Sequence, residues 1–222
     1  FVVLGSAIMK MGFPAMELYG IKFAYNVSQI FLCAYMTIEA VMIAKRNNYG
    51  MLCNHYNRYD PPMANILWLF YVSKIWDFWD TFFIVTGKKW RQLSFLHVYH
   101  HFTVFICYWI NVNINYDGEV YLSIVLNGFI HTVMYTYYFI CMHTKVPETG
   151  KSLPIWWKSS LTSMQMIQFV TMTSQASALL LTGCKETDPK VFFIYFAYTI
   201  SLLLLFAQFF VTTYVKRDKK KE

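Results

Sequence analysis

The chain has 222 residues, of which 57% are hydrophobic, 20% are aromatic and only 14% are charged, and its formal net charge is +7. Soluble domains average about 45–50% apolar and about 25% charged residues. Because the apolar residues are grouped in blocks of membrane-spanning length, this composition excludes an ordinary soluble domain and predicts a polytopic membrane protein built as one helical bundle.

The apolar blocks define the predicted elements. A helix needs about 20 mostly apolar residues to cross a bilayer. The first run, residues 1–9, is too short, and we interpret it as the end of a span that begins before residue 1. Six further spans are predicted at residues 21–44, 64–86, 93–114, 120–142, 155–181 and 191–214, followed by a basic tail at 215–222. The prediction is an all-α, seven-span bundle in one transmembrane domain.

Positive charges predict the orientation of these spans. Thirteen of the 19 Lys and Arg residues fall on the side that holds the C-terminus, five fall on the other side, and Lys74 lies within a span. The C-terminal side is therefore expected to be cytosolic. The final residues, 219–222, resemble a dilysine retrieval signal for the endoplasmic reticulum, although a basic tail attracted to anionic lipid explains them too. Cys53 and Cys184 lie on the opposite side, where they could pair or remain free thiols.

Ionisable residues follow one another inside the span at 64–86. Lys74, Asp77 and Asp80 are spaced at i, i+3 and i+6. Lys74 and Asp77 can form a structural ion pair on one helix face. The aspartates could also fix the tautomer of a histidine.

Histidines and amides mark the next three spans. In the span at 93–114, three histidines share one face at i, i+3 and i+4. When the alternating directions of the spans are followed, the polar groups of all these spans reach a similar depth in the middle-to-cytosolic part of the membrane. These groups are His97, His100, His101, Asn127, His131, Tyr135, Gln165 and Gln168. Such convergence predicts a functional cavity.

Three chemistries compete for this cavity. The four histidines are too few for a membrane di-iron site, so a metal-dependent lipid oxidoreductase would need a mononuclear centre. A non-enzymatic lipid carrier or receptor is a second alternative. Acyl transfer fits best, because a neutral imidazole can attack a thioester and a second histidine can act as base or acid near pH 7.

Basic residues on the predicted cytosolic side form a possible rim above the cavity. They are Lys88, Lys89, Arg91, Lys145, Lys151 and Lys158. They could dock the phosphates of a nucleotide carrier. The general excess of positive charge on cytosolic loops explains them equally well.

Four segments, in order along four consecutive spans, carry a family resemblance. They are Lys74-Ile-Trp-Asp-Phe-Trp-Asp80-Thr, Gln92-Leu-Ser-Phe-Leu-His97-Val-Tyr-His100-His101, Asn127-Gly-Phe-Ile-His131-Thr-Val-Met-Tyr-Thr-Tyr-Tyr138 and Thr162-Ser-Met-Gln165-Met-Ile-Gln168-Phe. A lone His-x-x-His-His would be weak, but the ordered set is specific. The chain resembles the fatty acid elongases, the 3-ketoacyl-CoA synthases of the endoplasmic reticulum, and within them the class that acts on polyunsaturated fatty acids.

The resemblance implies seven spans, six of them around an acyl-chain tunnel. It implies condensation of an acyl-CoA, here a C18–C20 polyunsaturated one, with malonyl-CoA to give a 3-oxoacyl-CoA, carbon dioxide and CoA, without a metal or other cofactor. His100 would be the acyl-accepting nucleophile, His131 would position or activate the malonyl partner, and His97 and His101 would shape the pocket and share proton transfer. The residues expected to orient these rings or the substrate are Asp77, Asp80, Asn127, Gln165 and Gln168, with Lys74 and Tyr135 beside them.

The resemblance also has implications outside the site. It implies that Cys53 and Cys184 form a disulfide on the lumenal side. It implies an endoplasmic reticulum membrane location, and partners among the reductases and dehydratase of the elongation cycle rather than nucleic acid. A homodimer is compatible with it.

Overall fold

The computed structural model describes residues 1–144 and 157–215, and every regular element in these ranges is helical. The helices are α1 (Val2–Lys10), α2 (Tyr19–Arg46), α3 (Ala64–Trp76), α4 (Phe78–Thr86), α5 (Phe95–Ile114), α6 (Val120–His143), α7 (Lys158–Thr182) and α8 (Pro189–Phe210), which continues as a π-helical turn (Val211–Val215). The prediction of an all-α fold is confirmed.

Three helices of the described ranges are both long and apolar enough to cross a membrane: α2, α6, and α8 with its π-helical turn. Helices α5 and α7 have 20 and 25 residues, so they are long enough, but they are more polar. Three histidines lie in α5, and twelve of the 25 residues of α7 are Ser, Thr or Gln. Because polar faces of membrane helices can be satisfied by neighbouring helices, this is the pattern of a polytopic helical bundle.

The segment predicted as one span at 64–86 is two helices that meet at Asp77. Here the amide of Asp80 donates to the carbonyl of Asp77 at 3.1 Å, an i to i+3 bond that tightens the turn. The amide of Asp77 still donates to Ser73 at 2.9 Å, so the chain continues in nearly the same direction. The break places the Asp77 side chain at the junction, fully inside the bundle.

Six segments form a closed ring. Contacts between helices run from α2 to α3, α5, α8, α7 and α6, and then back to α2. Helix α1 packs against α4, outside this ring. The ring brings α3 and α6 close enough to touch across it, at the level where their polar side chains lie.

One end of the ring is tied together by loops, and we call it the distal end, defined by Cys53, Cys184 and Glu119. Cys53 and Cys184 form a disulfide with Cα atoms 5.5 Å apart, as the resemblance implied. The Glu119 carboxylate accepts hydrogen bonds from the backbone of Asn54 and from Nε2 of Gln175. The bundle is therefore cross-linked at the end opposite to the first turns of α5, which carry His97, His100 and His101.

Helices α2 and α6 pack closely at Gly128. A Cβ atom at this position would collide with Oγ1 of Thr37 and would lie 3.2 Å from the carbonyl oxygen of Cys33, both on α2. Small residues allow this kind of backbone approach in membranes. Glycine at 128 is thus required by packing.

Replacing Gly128 by Ala is expected to lower the free energy of unfolding by about 1–3 kcal/mol, because α2 and α6 must move apart. Gly20→Ala is the matched control, since a Cβ at Gly20 meets no atom within 4 Å. Thermal unfolding of both variants in detergent measures the difference. Equal melting temperatures for the two variants would contradict close packing at Gly128.

Candidate active site

The start of α5 sets the position of its histidines. Ser94 is the N-cap residue, and its hydroxyl accepts a hydrogen bond of 3.2 Å from the backbone amide of His97. Such caps satisfy a free amide in the first helical turn. The cap fixes the first turn of α5, from which His97, His100 and His101 project within the next two turns.

The four histidines of α5 and α6 converge, and we call them the histidine cluster: His97, His100, His101 and His131. The rings of His97 and His101 lie with centroids 4.3 Å apart, and those of His100 and His101 lie 5.4 Å apart at an interplanar angle of 87°. His131, from α6, lies close enough to His100 and His101 to interact with them electrostatically. The convergence predicted from span direction is thus present.

The members of the cluster differ in how far their nitrogens are engaged. His97 Nε2 shares a hydrogen bond of 2.8 Å with Oγ1 of Thr81. His101 and His131 each bury Nδ1 without a partner in the described part of the chain. The ring of His100 is only partly buried, packs edge-on against Phe206 of α8 at 6.1 Å, and receives no hydrogen bond from any described side chain. No described side chain therefore hydrogen-bonds the His100 imidazole, whereas Thr81 bonds that of His97.

Beside the cluster lies a buried positive charge. Lys74 is 2% exposed, and its Nζ atom lies 3.1 Å from Oδ2 of Asp77 and 3.2 Å from Oδ1 of Asn127. The ammonium also lies 4.2 Å from the centre of the Phe70 ring. Buried charges need this degree of pairing. The Lys74–Asp77 pair, one of the two alternatives for these residues, is present.

A second set of contacts surrounds Asp77 and Asp80 from α2 and α6. Nε2 of Gln29 donates to Oδ1 of Asp77 at 2.6 Å and lies 3.1 Å from both the Tyr25 and the Tyr135 hydroxyls. Tyr135 donates to Oδ2 of Asp80 at 2.7 Å. Both aspartates are thus satisfied by residues other than histidine, and the hydrogen bonds to imidazole that the sequence suggested for them are not the ones they make.

Three residues of the site have no counterpart in the prediction. Gln29 and Tyr25 lie one turn apart in α2, and Thr81, rather than an aspartate, bonds a histidine ring. The sequence feature that could have identified Gln29 is its depth in the membrane. At 1.5 Å per residue, this polar residue lies about 15 Å along α2 from Tyr19. Thr81 directly follows Asp80 but resembles any helical threonine.

The glutamines of α7 lie at the edge of the site. Nε2 of Gln165 is 3.9 Å from the sulfur of Met134, and Nε2 of Gln168 is 3.5 Å from that of Met172. Sulfur is a weak acceptor. Neither amide bonds a histidine, so both keep most of their hydrogen-bonding capacity for other groups.

Only part of the predicted basic rim lies within the residues that the structure describes. Lys88, Lys89 and Arg91 lie in the turn between α4 and α5, and Lys158 is the first residue of α7. Lys145, Lys151 and the basic tail from residue 216 lie outside the described residues. Among residues 1–144 and 157–215, no three His, Cys, Asp or Glu side chains are arranged to hold a metal ion.

Comparison with known proteins gives one consistent relationship. The family model described as "ELO: GNS1/SUR4 family" matches residues 1–222. Very long chain fatty acid elongase 2 of Mus musculus is 35% identical over 222 residues, which cover 99% of this chain and 74% of the relative. Very long chain fatty acid elongase 4 of Homo sapiens is 34% identical over 226 residues, covering 100% and 70%, and elongase 5 of Tachysurus fulvidraco is 34% identical over 201 residues, covering 89% and 66%.

The matched residues include the histidine cluster and all the helices that form the ring. The resemblance drawn from the four ordered segments is therefore confirmed over the whole chain. The chain belongs to the ELO (GNS1/SUR4) family, and it is a condensing enzyme of fatty acid elongation.

Proposed function

We propose that this elongase joins an acyl-CoA to malonyl-CoA through an acyl group carried covalently on His100. The observation that carries the proposal is the state of His100: its imidazole has no hydrogen bond from a described side chain, packs against Phe206 and lies 5.4 Å from the ring of His101. A free imidazole nitrogen is a competent nucleophile toward a thioester.

The first half-reaction would transfer the acyl group to the enzyme. A nitrogen of His100 attacks the thioester carbonyl, the carbon–sulfur bond breaks, and CoA leaves as a thiolate that takes up a proton. His101 stands edge-on to His100 at 5.4 Å and is the nearest ring able to accept the proton that the attacking imidazole loses. His97, held by Thr81, would keep His101 in place from the other side.

The second half-reaction would consume the malonyl group beside Lys74. Loss of carbon dioxide leaves an enolate, whose carbon attacks the acyl carbonyl on His100 and releases the imidazole. The Lys74 ammonium and the Asn127 amide, which are 3.2 Å apart, would stabilise the negative charge of the enolate oxygen. His131, one turn from Asn127 and close to Lys74, would position the malonyl thioester. The sum is acyl-CoA plus malonyl-CoA giving 3-oxoacyl-CoA, carbon dioxide and CoA, with no cofactor.

The helical ring suits the proposed acyl substrate. We propose that one long acyl chain binds among the six segments of the ring, whose buried core is rich in aromatic, methionine and leucine side chains. The class of substrate we propose is a C18–C20 polyunsaturated acyl-CoA. The CoA phosphates would bind at Lys88, Lys89, Arg91 and Lys158, and we include Lys145 and Lys151 from the sequence prediction.

The distribution of positive charge along the chain also indicates how the bundle is oriented in its membrane. Because the sequence assigns thirteen Lys and Arg residues to the C-terminal side of the spans and five to the other side, we propose that the C-terminus is cytosolic. The disulfide at the distal end would then lie in the oxidising lumen of the endoplasmic reticulum. The 3-oxo product would pass to reductases and a dehydratase of the same membrane.

The experiment that tests the proposal uses the purified full-length protein, an acyl-CoA series and radiolabelled malonyl-CoA. We expect labelled 3-oxoacyl-CoA with the largest yield from C18–C20 polyunsaturated substrates, with and without a metal chelator. Products from saturated chains alone would contradict the substrate class. Loss of activity on chelation that added metal restores would favour a metal-dependent reaction instead.

A further inference from the structure

Gln29 lies outside every segment that carries the family resemblance, yet it is among the most buried polar residues of the chain. It projects from α2, and its exposed fraction is 0%. Its Nε2 atom faces three oxygens: Oδ1 of Asp77 at 2.6 Å, and the hydroxyls of Tyr25 and Tyr135, each at 3.1 Å. A carboxylate can only accept hydrogen bonds, so Gln29 must present an N–H to Asp77.

The carbonyl oxygen of the same amide argues against a purely structural role for Gln29. Oε1 of Gln29 is buried, and no group in the described ranges donates to it. A buried acceptor without a donor costs about 1–3 kcal/mol. A leucine or methionine would avoid that cost but would remove the donor at 2.6 Å from Oδ1 of Asp77, so the function of this amide lies in its N–H groups.

Those N–H groups determine which neighbour contacts each oxygen of the Asp77 carboxylate. Oδ1 of Asp77 is taken by Gln29 and Oδ2 by Lys74, at 2.6 and 3.1 Å. Without Gln29, Oδ1 of Asp77 would lose its closest donor, and the carboxylate would be free to turn toward Lys74 and draw Nζ away from Oδ1 of Asn127. The Tyr135 hydroxyl would lose its contact with Gln29 but would keep its hydrogen bond of 2.7 Å to Oδ2 of Asp80.

We propose that Gln29 is a positioning residue of the condensation: its amide fixes the Asp77 carboxylate, so that the Lys74 ammonium is held on Asn127 beside His131. The chain of contacts runs from Gln29 to Asp77, then to Lys74 and Asn127, each at hydrogen-bond distance. This inference rests on the proposed role of Lys74 and Asn127 in the malonyl half-reaction. Gln29 itself contacts no reacting atom.

Two substitutions and one control test the proposal in the full-length enzyme. Gln29→Leu removes both N–H donors at similar volume. Gln29→Glu keeps the shape, loses the donors when ionised and regains an O–H donor when protonated. Asn26→Leu removes a second buried amide of α2, which donates to the sulfur of Met142 at 3.0 Å. His100→Ala is measured in the same assay as the test of the nucleophile.

We expect Gln29→Leu to lower kcat roughly tenfold to a hundredfold, because small displacements of a positioned group have effects of this size, while KM for malonyl-CoA changes little. The activity of Gln29→Glu should rise as the pH is lowered, relative to wild type and to Gln29→Leu. Asn26→Leu should keep its kcat. A purely structural role would lower the melting temperature without moving the pH profile.

Three results would overturn the proposal. They are a wild-type kcat for Gln29→Leu, a pH profile of Gln29→Glu that parallels that of Gln29→Leu, and a loss of kcat in Asn26→Leu as large as that in Gln29→Leu. If Gln29→Leu fails to fold, the pH profile of Gln29→Glu decides alone. Retained activity of His100→Ala would overturn the nucleophile assignment and leave the Gln29 result to stand by itself.

Discussion

Replacing His100 by Ala is expected to lower turnover by about a thousandfold or more while the fold is retained. The residue is only partly buried and its side chain forms no hydrogen bond with the described side chains, so its loss leaves no unpaired partner. A nucleophile has no substitute in a covalent mechanism, and removal of one in other enzymes costs factors of this order or larger. Production of 3-oxoacyl-CoA from acyl-CoA and malonyl-CoA measures the effect.

The matched control for His100→Ala is His55→Ala. His55 is exposed, lies at the distal end and contacts Glu186 at 3.2 Å, so this variant also removes one imidazole but not from the cluster. We expect it to keep wild-type turnover. Incubation of the wild-type enzyme with acyl-CoA labelled in its acyl group, without malonyl-CoA, should place the label on His100. Substantial turnover of His100→Ala, or label on another histidine, would contradict the assignment.

Much of the fold could be predicted because short stretches of the sequence are enough to identify its helices. Apolar runs of spanning length identify the helices, and Asp188 followed by Pro189 begins α8, with the Asp188 carboxylate accepting from the amide of Lys190 at 2.8 Å. The break at Asp77 could not be found in this way. No proline or glycine marks it, and only the contacts of Asp77 with α2 and Lys74 make a junction there favourable.

The candidate site also contains some residues that the sequence predicts and others that it does not. Helical periodicity puts His97 and His101 on one face, and span direction brings His131 to their depth; both follow from the sequence alone. Gln29 could not be assigned, because its partners lie 48 and 106 positions away and depend on how α2 is rotated about its axis. Thr81 was missed because most helical threonines bond the carbonyl one turn back, as Thr86 does with Phe82 at 2.8 Å.

Replacing Lys74 by Met is expected to lower the free energy of unfolding by about 3–5 kcal/mol, because it leaves the Asp77 carboxylate buried without its counter-charge. Lys74 is 2% exposed and Asp77 is 2% exposed, so water cannot replace the lost partner. The variant should also be inactive, and reversible unfolding in bicelles together with the condensation assay measures both effects.

The double variant Lys74→Met with Asp77→Asn separates the two roles that the sequence left open. Removing both charges eliminates the unpaired carboxylate, and neutral replacements of a buried pair are often close to wild type in stability. The stability should therefore return while condensation does not, because no ammonium remains beside Asn127 to face the enolate. Recovery of both would show that Lys74 serves only as a structural partner of Asp77. Recovery of stability alone would show that condensation needs the charge of Lys74. The hydrogen bond from Gln29 to Asp77 would then contribute to catalysis by holding this charge in position.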